Sequence, residues 1–220
     1  MMNFLNKEIK AVIFDLDGTL IDSTSVWKKI DSQFFKKRGM EIPKTYTDDI
    51  AHVGLKEAAI ITKEKYHIKE SIEEIIQEWQ QASYDEYAYN IQLKQGVCEY
   101  LAFLKQNNIK LAIATASPKK LYEPCLKRLK IYHYFDYIAS VEDVKKGKDS
   151  IELYHFVSNK LQVLPENTLV FEDISVGLKT AFTNKYITIA VFDENSIKDD
   201  DKKRKYSYLY INNFIELVKK

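Results

Sequence analysis

The sequence predicts an α/β protein: a parallel β-sheet covered by helices on both faces, with an all-helical segment inserted after the first strand. Two observations carry this expectation. Short β-rich apolar runs recur along the chain with amphipathic helical stretches between them, the alternation that builds parallel sheets. Between about residues 22 and 91 the alternation stops, and every pattern there is helical.

The expected strands are residues 11–14, 111–115, 137–140, 168–171, 187–191 and 208–211. One intervening helix carries Val97, Leu101 and Leu104, another Leu121, Cys125 and Leu129, and a third Tyr154, Val157 and Leu161. Spacings of three and four residues place each set on one face, as packing against a sheet requires. Within the insertion, Asp22-Ser23 reads as the cap of a helix through Trp27, Ile30 and Phe34 that ends at Gly39. Ser71-Ile72-Glu73-Glu74 has the form of a capping box, and Ile72, Ile75, Ile76 and Trp79 follow it as an apolar stripe. The expected division is therefore a core of residues 1–21 and 92–220 and a helical cap domain of residues 22–91.

Composition narrows the function classes. With 33 basic against 32 acidic side chains the net charge is +1, which leaves no field for gathering a polyanion, so neither nucleic acid nor an anionic membrane is an expected partner. The 15 tyrosines and 11 phenylalanines are scattered and form no stacking platform. No apolar run reaches the roughly 20 residues that span a bilayer. The first residues lack the long apolar stretch of a secretory signal, so the cytoplasm is the expected compartment. Cys98 and Cys125 have no C-x-x-C spacing and read as ordinary buried thiols of a reducing compartment. The mixed-charge run from Lys198 to Lys205 reads as a solvated loop. The four histidines show no metal-ligand spacing. His67 and His155 lie in helical stretches and read as structural or exposed.

The chemistry is concentrated at strand ends. Residues 11–14 run into Asp15-Leu16-Asp17-Gly18, two carboxylates at i and i+2 where parallel sheets bind ligands. Such a pair repels itself and calls for a cation or a proton, although two solvated aspartates are equally compatible with the pattern alone. Magnesium, which takes oxygen ligands, suits the pair. Thr115-Ala116-Ser117 follows the second expected strand, and its hydroxyls and the Ala116 amide suit phosphate oxygens. Glu172-Asp173 follows the fourth strand as a further acidic pair, and Lys148 offers fixed positive charge. Taken together these make a site for metal-assisted phosphoryl transfer.

The sequence resembles the haloacid dehalogenase superfamily, in the branch with a helical cap after the first strand. That branch includes phosphoglycolate phosphatases, sugar and hexitol phosphatases and β-phosphoglucomutase. Phe14-Asp15-Leu16-Asp17-Gly18-Thr19-Leu20-Ile21-Asp22-Ser23 matches the first motif throughout. Ala114-Thr115-Ala116-Ser117-Pro118 resembles the second and Val170-Phe171-Glu172-Asp173 the fourth. The third departs: Lys148-Asp149-Ser150-Ile151-Glu152-Leu153-Tyr154 lacks both prolines of the usual pattern but keeps its lysine, acid and aromatic. Lys145 and Lys146 are alternatives to Lys148.

The resemblance implies a Rossmann-like core, a Mg2+ cofactor and a phosphatase acting on a small phosphorylated metabolite, as a monomer or weak homodimer. It implies that Asp15 is the nucleophile and a metal ligand. Asp17 becomes the general acid and base, with its backbone carbonyl on the metal. Thr115, Ala116 and Ser117 bind the phosphoryl group, Lys148 neutralises charge, and Asp173 with Glu172 completes the metal site. A glycine-containing cap loop makes His52, Gly54 and Lys56 candidate substrate contacts, with Trp27 beside them. A haloalkanoic acid substrate is not expected, because dehalogenases of the superfamily lack the aspartate that Asp17 supplies. Two alternatives remain at this point. One is a phosphorylation switch like a receiver domain, which lacks the helical insertion and Asp17-Gly18-Thr19. The other is a phosphomutase. β-Phosphoglucomutase has a histidine five residues beyond the aspartate matching Asp22, where Trp27 stands here. It has an arginine three residues after its loop glycine, where Glu57 stands.

Overall fold

The computed structural model describes residues 2–50 and 55–218. The chain divides into two compact units, Met1–Thr24 with Ile91–Lys220, and Ser25–Asn90. In chain order, strands β1 (Met2–Phe4), β2 (Lys7–Ile9) and β3 (Ala11–Phe14) are followed by the helices of the smaller unit. These are α1 (Val26–Lys37), α2 (Tyr46–Ile50), α3 (Leu55–Lys65) and α4 (Ile72–Asp85). The larger unit resumes with α5 (Val97–Gln106), β4 (Lys110–Thr115), α6 (Lys119–Arg128), β5 (Tyr137–Ser140), α7 (Val141–Val144) and α8 (Glu152–Leu161). It closes with β6 (Thr168–Glu172), α9 (Ser175–Thr183), β7 (Ile187–Val191), α10 (Asp200–Lys205), β8 (Leu209–Ile211) and α11 (Ile215–Val218).

Six strands form one wholly parallel sheet in the order β5-β4-β3-β6-β7-β8. β3 lies inside it, with Phe14 in register with Ile113 on one side and Phe171 on the other. The chain order reverses about β3, so the crevice at its carboxyl end is a topological switch point, where open α/β sheets hold ligands. β3, β6 and β7 are buried at every residue, which explains why they read as continuous apolar runs rather than alternating ones. On one face Ala112, Ala114 and Ala139 let α8 settle close, and its Leu153, Tyr154, Val157 and Leu161 fill the space above Ile13 and Val170. On the other, Phe14 stacks on Phe171 at 5.0 Å between ring centres, and Tyr100 and Phe214 close over the pair.

The smaller unit contains no strand among its described residues. Phe34 of α1 meets Trp79 of α4 at 5.5 Å. The capping box stands as expected: Ser71 Oγ accepts from the Glu74 amide at 3.2 Å, and the Glu74 carboxylate accepts from the Ser71 amide at 2.8 Å.

Several expectations are corrected. α1 starts after Ser25, not Asp22-Ser23, because the Ser23 hydroxyl is committed to Asp17. Its other end is as expected: Lys37 is the last helical residue and Gly39 follows at φ 68°, its amide on the Lys36 carbonyl and the Met40 amide on the Phe35 carbonyl, both at 3.0 Å. His67 lies beyond the end of α3 in a left-handed turn at φ 55°. Cys98 is exposed while Cys125 is buried; Cys98 falls one position off the inward stripe of α5. The run 198–205 is no loop, since it enters α10, and Lys203 on its inner face is wholly buried. The β1–β2 hairpin was not foreseen, because its turn uses Leu5 and Asn6 at φ 51° and 59° in place of a glycine signal. No helix among the described residues is long and apolar enough to cross a membrane.

The aromatic cluster generates a stability test. Phe214 is fully buried against Phe14, Tyr100 and Phe171. Phe214→Ala should therefore cost roughly 3–5 kcal/mol. Urea unfolding measures this directly, and a loss under about 1 kcal/mol would mean that the ring is not part of the core.

Candidate active site

β3 hands Asp15 to the switch point. Its amide still donates to the Phe171 carbonyl at 2.9 Å, so the ladder holds the residue one step beyond the strand. The chain then folds back on itself, with the Leu20 amide on the Leu16 carbonyl at 2.9 Å. Gly18 sits at φ 80°, and a Cβ there would run into the Asp173 carboxylate. Glycine is required on both counts. The Thr19 hydroxyl lies 3.3 Å from Asp15 Oδ2 and 3.3 Å from Asp173 Oδ1, with one proton for two acceptors.

β6 supplies Glu172 and Asp173. Lys148, from the loop between α7 and α8, forms ion pairs with Asp15 Oδ1 and with Glu172 Oε1, the latter at 2.6 Å. Tyr154 also donates to Glu172 Oε1, at 3.3 Å. Glu172 Oε2 accepts from the Asp173 amide at 2.9 Å and the Ile174 amide at 3.4 Å. Both Glu172 oxygens are thus committed within the protein. The same crowding explains Gly177, where a Cβ would overlap the Glu172 carboxylate and the Tyr154 hydroxyl. Lys145 and Lys146 are exposed, and it is Lys148 that meets the carboxylates.

Oxygens of Asp15, Glu172 and Asp173 lie within 4.8 Å of one another, all three residues buried. Three carboxylates face one ammonium. Burial, then Glu172, pushes the Asp15 carboxyl up to about 7 against the opposing pull of Lys148. The same two causes raise Asp173 well above the ordinary carboxylate range, with Asp15 adding to them. Burial alone would lower Lys148, but Asp15 and Glu172 hold it well above its ordinary value, so its charge is secure. An all-oxygen donor set with an uncompensated negative charge fits a hard divalent cation. With Glu172 committed to Lys148 and two amides, Asp15 and Asp173 offer the more open lone pairs.

Asp17 lies in a different environment. Its carboxylate accepts from Ser23 Oγ at 2.7 Å, Ser117 Oγ at 2.6 Å and Thr115 Oγ1 at 3.5 Å. The Ser117 amide in turn donates to Thr115 Oγ1 at 2.9 Å, which folds the turn after β4 toward Asp17. Ala116 is exposed on that turn. The larger unit therefore gathers Asp15, Asp17, Thr115, Ser117, Lys148, Glu172 and Asp173. Trp27, half-exposed on α1, and Lys56, exposed on α3, belong to the smaller unit. His52 and Gly54 lie outside the described residues. Sequence reasoning gave no place in the site to Thr19, Ser23, Tyr154 or Gly177. The first two lie inside the first motif, and the third is the aromatic that the third motif retains.

A family model described as haloacid dehalogenase-like hydrolase matches residues 12–191. A Thermotoga maritima protein named phosphorylated carbohydrates phosphatase is 33% identical over 177 residues, covering 79% of this chain and 80% of that one. Pyrophosphatase PpaX of Bacillus cereus is 28% identical over 169 residues, covering 76% and 75%. Among solved structures, one from Thermotoga maritima, provisionally named a β-phosphoglucomutase, superposes with a TM-score of 0.85 at 28% identity, covering 96% of this chain and 97% of that one. A Clostridium difficile β-phosphoglucomutase shares the fold at TM-score 0.69 and 22% identity, covering 95% and 93%.

The charge imbalance sets a pH test. Asp15 and Asp173 bind protons more tightly folded than unfolded, so their contribution to stability is complete below the ordinary aspartate value of 3.8 and is lost as pH rises through about 7 for Asp15. Without divalent cations, thermal unfolding should therefore shift downward between about pH 5 and about pH 8. Mg2+ should stabilise more at the higher pH, because protons compete for the same oxygens. Equal Mg2+ stabilisation at both pH values would remove these carboxylates as its ligands.

Proposed function

The chain belongs to the haloacid dehalogenase-like hydrolases, and from that premise we propose that it is a Mg2+-dependent phosphatase that hydrolyses phosphorylated carbohydrates through a phosphoryl group carried on Asp15. The observation that carries this reading is the buried Asp15, ion-paired to Lys148 and one residue removed from an Asp17 held by hydroxyls. The substrate class is supported by the relative named phosphorylated carbohydrates phosphatase.

In this reading an Asp15 oxygen attacks phosphorus opposite the sugar oxygen, forming the acyl-phosphate as the phosphorus–oxygen ester bond breaks. Asp17 gives its proton to the departing alkoxide, a poor leaving group without it. The ionised Asp17 then takes a proton from water as that water attacks the acyl-phosphate, which releases phosphate and restores the Asp15 carboxylate. Ser23 and Ser117 hold the Asp17 carboxyl through both steps. Lys148, the Thr115 hydroxyl and the Ala116 amide face the charge of the transferring phosphoryl oxygens, and Glu172 and Tyr154 hold Lys148. Asp15, Asp173 and the Asp17 carbonyl would hold Mg2+, which supplies charge neutralisation for the approach of a carboxylate to a phosphate dianion. His52, Gly54, Lys56 and Trp27 of the helical segment are the proposed substrate contacts.

The direct test is phosphate release from a panel of sugar and polyol phosphates, glycolate phosphate, nucleotides and pyrophosphate. Turnover should concentrate on the carbohydrate esters, and a preference for pyrophosphate would replace the substrate class. β-Glucose 1-phosphate supplied with catalytic glucose 1,6-bisphosphate should yield inorganic phosphate. Efficient conversion to glucose 6-phosphate would make the protein a mutase instead. Asp15→Asn should lower turnover by about 10³-fold or more while the fold persists. Asp17→Asn should reduce the phosphorylation step more for alkyl than for aryl phosphates, since an aryl leaving group needs less protonation. Equal losses would remove Asp17 as the acid.

A further inference from the structure

Lys203 is wholly buried, yet it takes no part in the chemistry described above. Burying an ammonium carries a desolvation cost that an apolar residue of similar volume avoids, so the retained charge calls for an explanation. Its Nζ lies 2.6 Å from Asp200 Oδ1, one turn earlier, as an ion contact off the hydrogen-bond direction, and 5.4 Å from the centre of the Tyr210 ring. Its directed hydrogen bond goes to Ser196 Oγ at 3.0 Å.

An ammonium only donates, so the Ser196 oxygen accepts there and its own proton points elsewhere. The acceptor is the backbone carbonyl of Asp173 at 2.8 Å, with the Asp193 carbonyl a longer second choice at 3.3 Å. A chain of donors therefore runs from Lys203 through Ser196 to the main chain of Asp173, each bond polarising the next. A second brace joins the same segments, since Ser175 Oγ donates to Asp199 Oδ2 at 3.1 Å. Asp173 itself has little slack: the Thr19 hydroxyl, shared with Asp15, lies 3.3 Å from its carboxylate, Glu172 accepts its amide hydrogen, and a Cβ on Gly18 would overlap it.

We propose that Lys203 and Ser196 are positioning residues that fix the Asp173 main chain, and through it the aim of the Asp173 carboxylate at the divalent cation. This rests on the reading of Asp173 as a metal ligand. Groups that orient a ligand without touching the metal typically change affinity by about 10–100-fold when removed. The route through one hydroxyl adds a sharper demand, because the effects of Lys203 and Ser196 should not add.

The test uses full-length metal-free protein and Mn2+ alone, with free Mn2+ followed by its electron paramagnetic resonance signal and folding by circular dichroism. Lys203→Met and Ser196→Ala should each weaken Mn2+ binding by about 10-fold. The double variant should be no weaker than the weaker single variant, and Ser196→Thr, which keeps the hydroxyl, should bind like wild type. Turnover lost in the single variants should return at saturating Mg2+. Should Lys203→Met fail to fold, Ser196→Ala carries the test alone, since it leaves the buried ammonium in place. Wild-type Mn2+ affinity in folded Ser196→Ala would overturn the proposal, as would fully additive losses in the double variant. A wild type that binds no Mn2+ would overturn both this inference and the metal reading beneath it.

Discussion

The structure depends on an electrostatic debt at the end of β3. Three buried carboxylates, Asp15, Glu172 and Asp173, meet one buried ammonium, Lys148. In a folded protein without a cation this is a strained arrangement, as the raised carboxyls of Asp15 and Asp173 express. A phosphatase site needs that strain. Charge held in place by burial cannot relax when a phosphate dianion arrives, so in the proposed reading a cation that answers it would also answer the substrate.

Much of the local backbone can be understood as the means of keeping this group in register. The parallel ladder carries Asp15 and Glu172 out on neighbouring strands, so their spacing is set by the sheet and not by a loop. A side chain at Gly18 or at Gly177 would displace a carboxylate of this group. Tyr154 reaches the same Glu172 oxygen as Lys148 from the helix packed beneath the sheet, so the core and the site share a residue. Core packing and site geometry are thus one problem on this side of the sheet, and a change at Tyr154 or Gly177 is felt in both.

What could be read from the sequence follows from how local the determinants are. The central strands were visible as apolar runs because both faces of the sheet are covered there, and the helices from their inward stripes. Asp15, Asp17, Thr115, Glu172 and Asp173 could be found because each stands within three residues of a strand end. Lys148 was harder, since its motif has lost both prolines, and only its burial separates it from Lys145 and Lys146. Long-range pairings left no such mark. Nothing near residue 203 announces that its lysine is buried: Asp200, one turn earlier, is the neighbour a solvated helix would also offer, and Ser196 and Tyr210 come from outside the helix. Ser23 was misread for a similar reason: its hydroxyl suits a helix cap, but Asp17 offers a charged acceptor in competition.

The two aspartates of the first motif show how a separation of two residues divides labour. Asp15 remains within the ladder, loses its water and is answered by an ammonium. Asp17 lies past the strand in the turn, stays partly exposed, and is answered by hydroxyls. In the mechanism proposed above, the carboxylate beside the fixed positive charge is the one held for attack, and the one held by the Ser23 and Ser117 hydroxyls is the acid. The alternation of a strand alone would place both on the same face. It is the reversal at Gly18, where only glycine fits beside Asp173, that leaves Asp17 in the turn and within reach of the hydroxyls of the neighbouring loop. The glycine between the motif's acids and Thr19 therefore sets where both carboxylates stand as much as the side chains on either side of it.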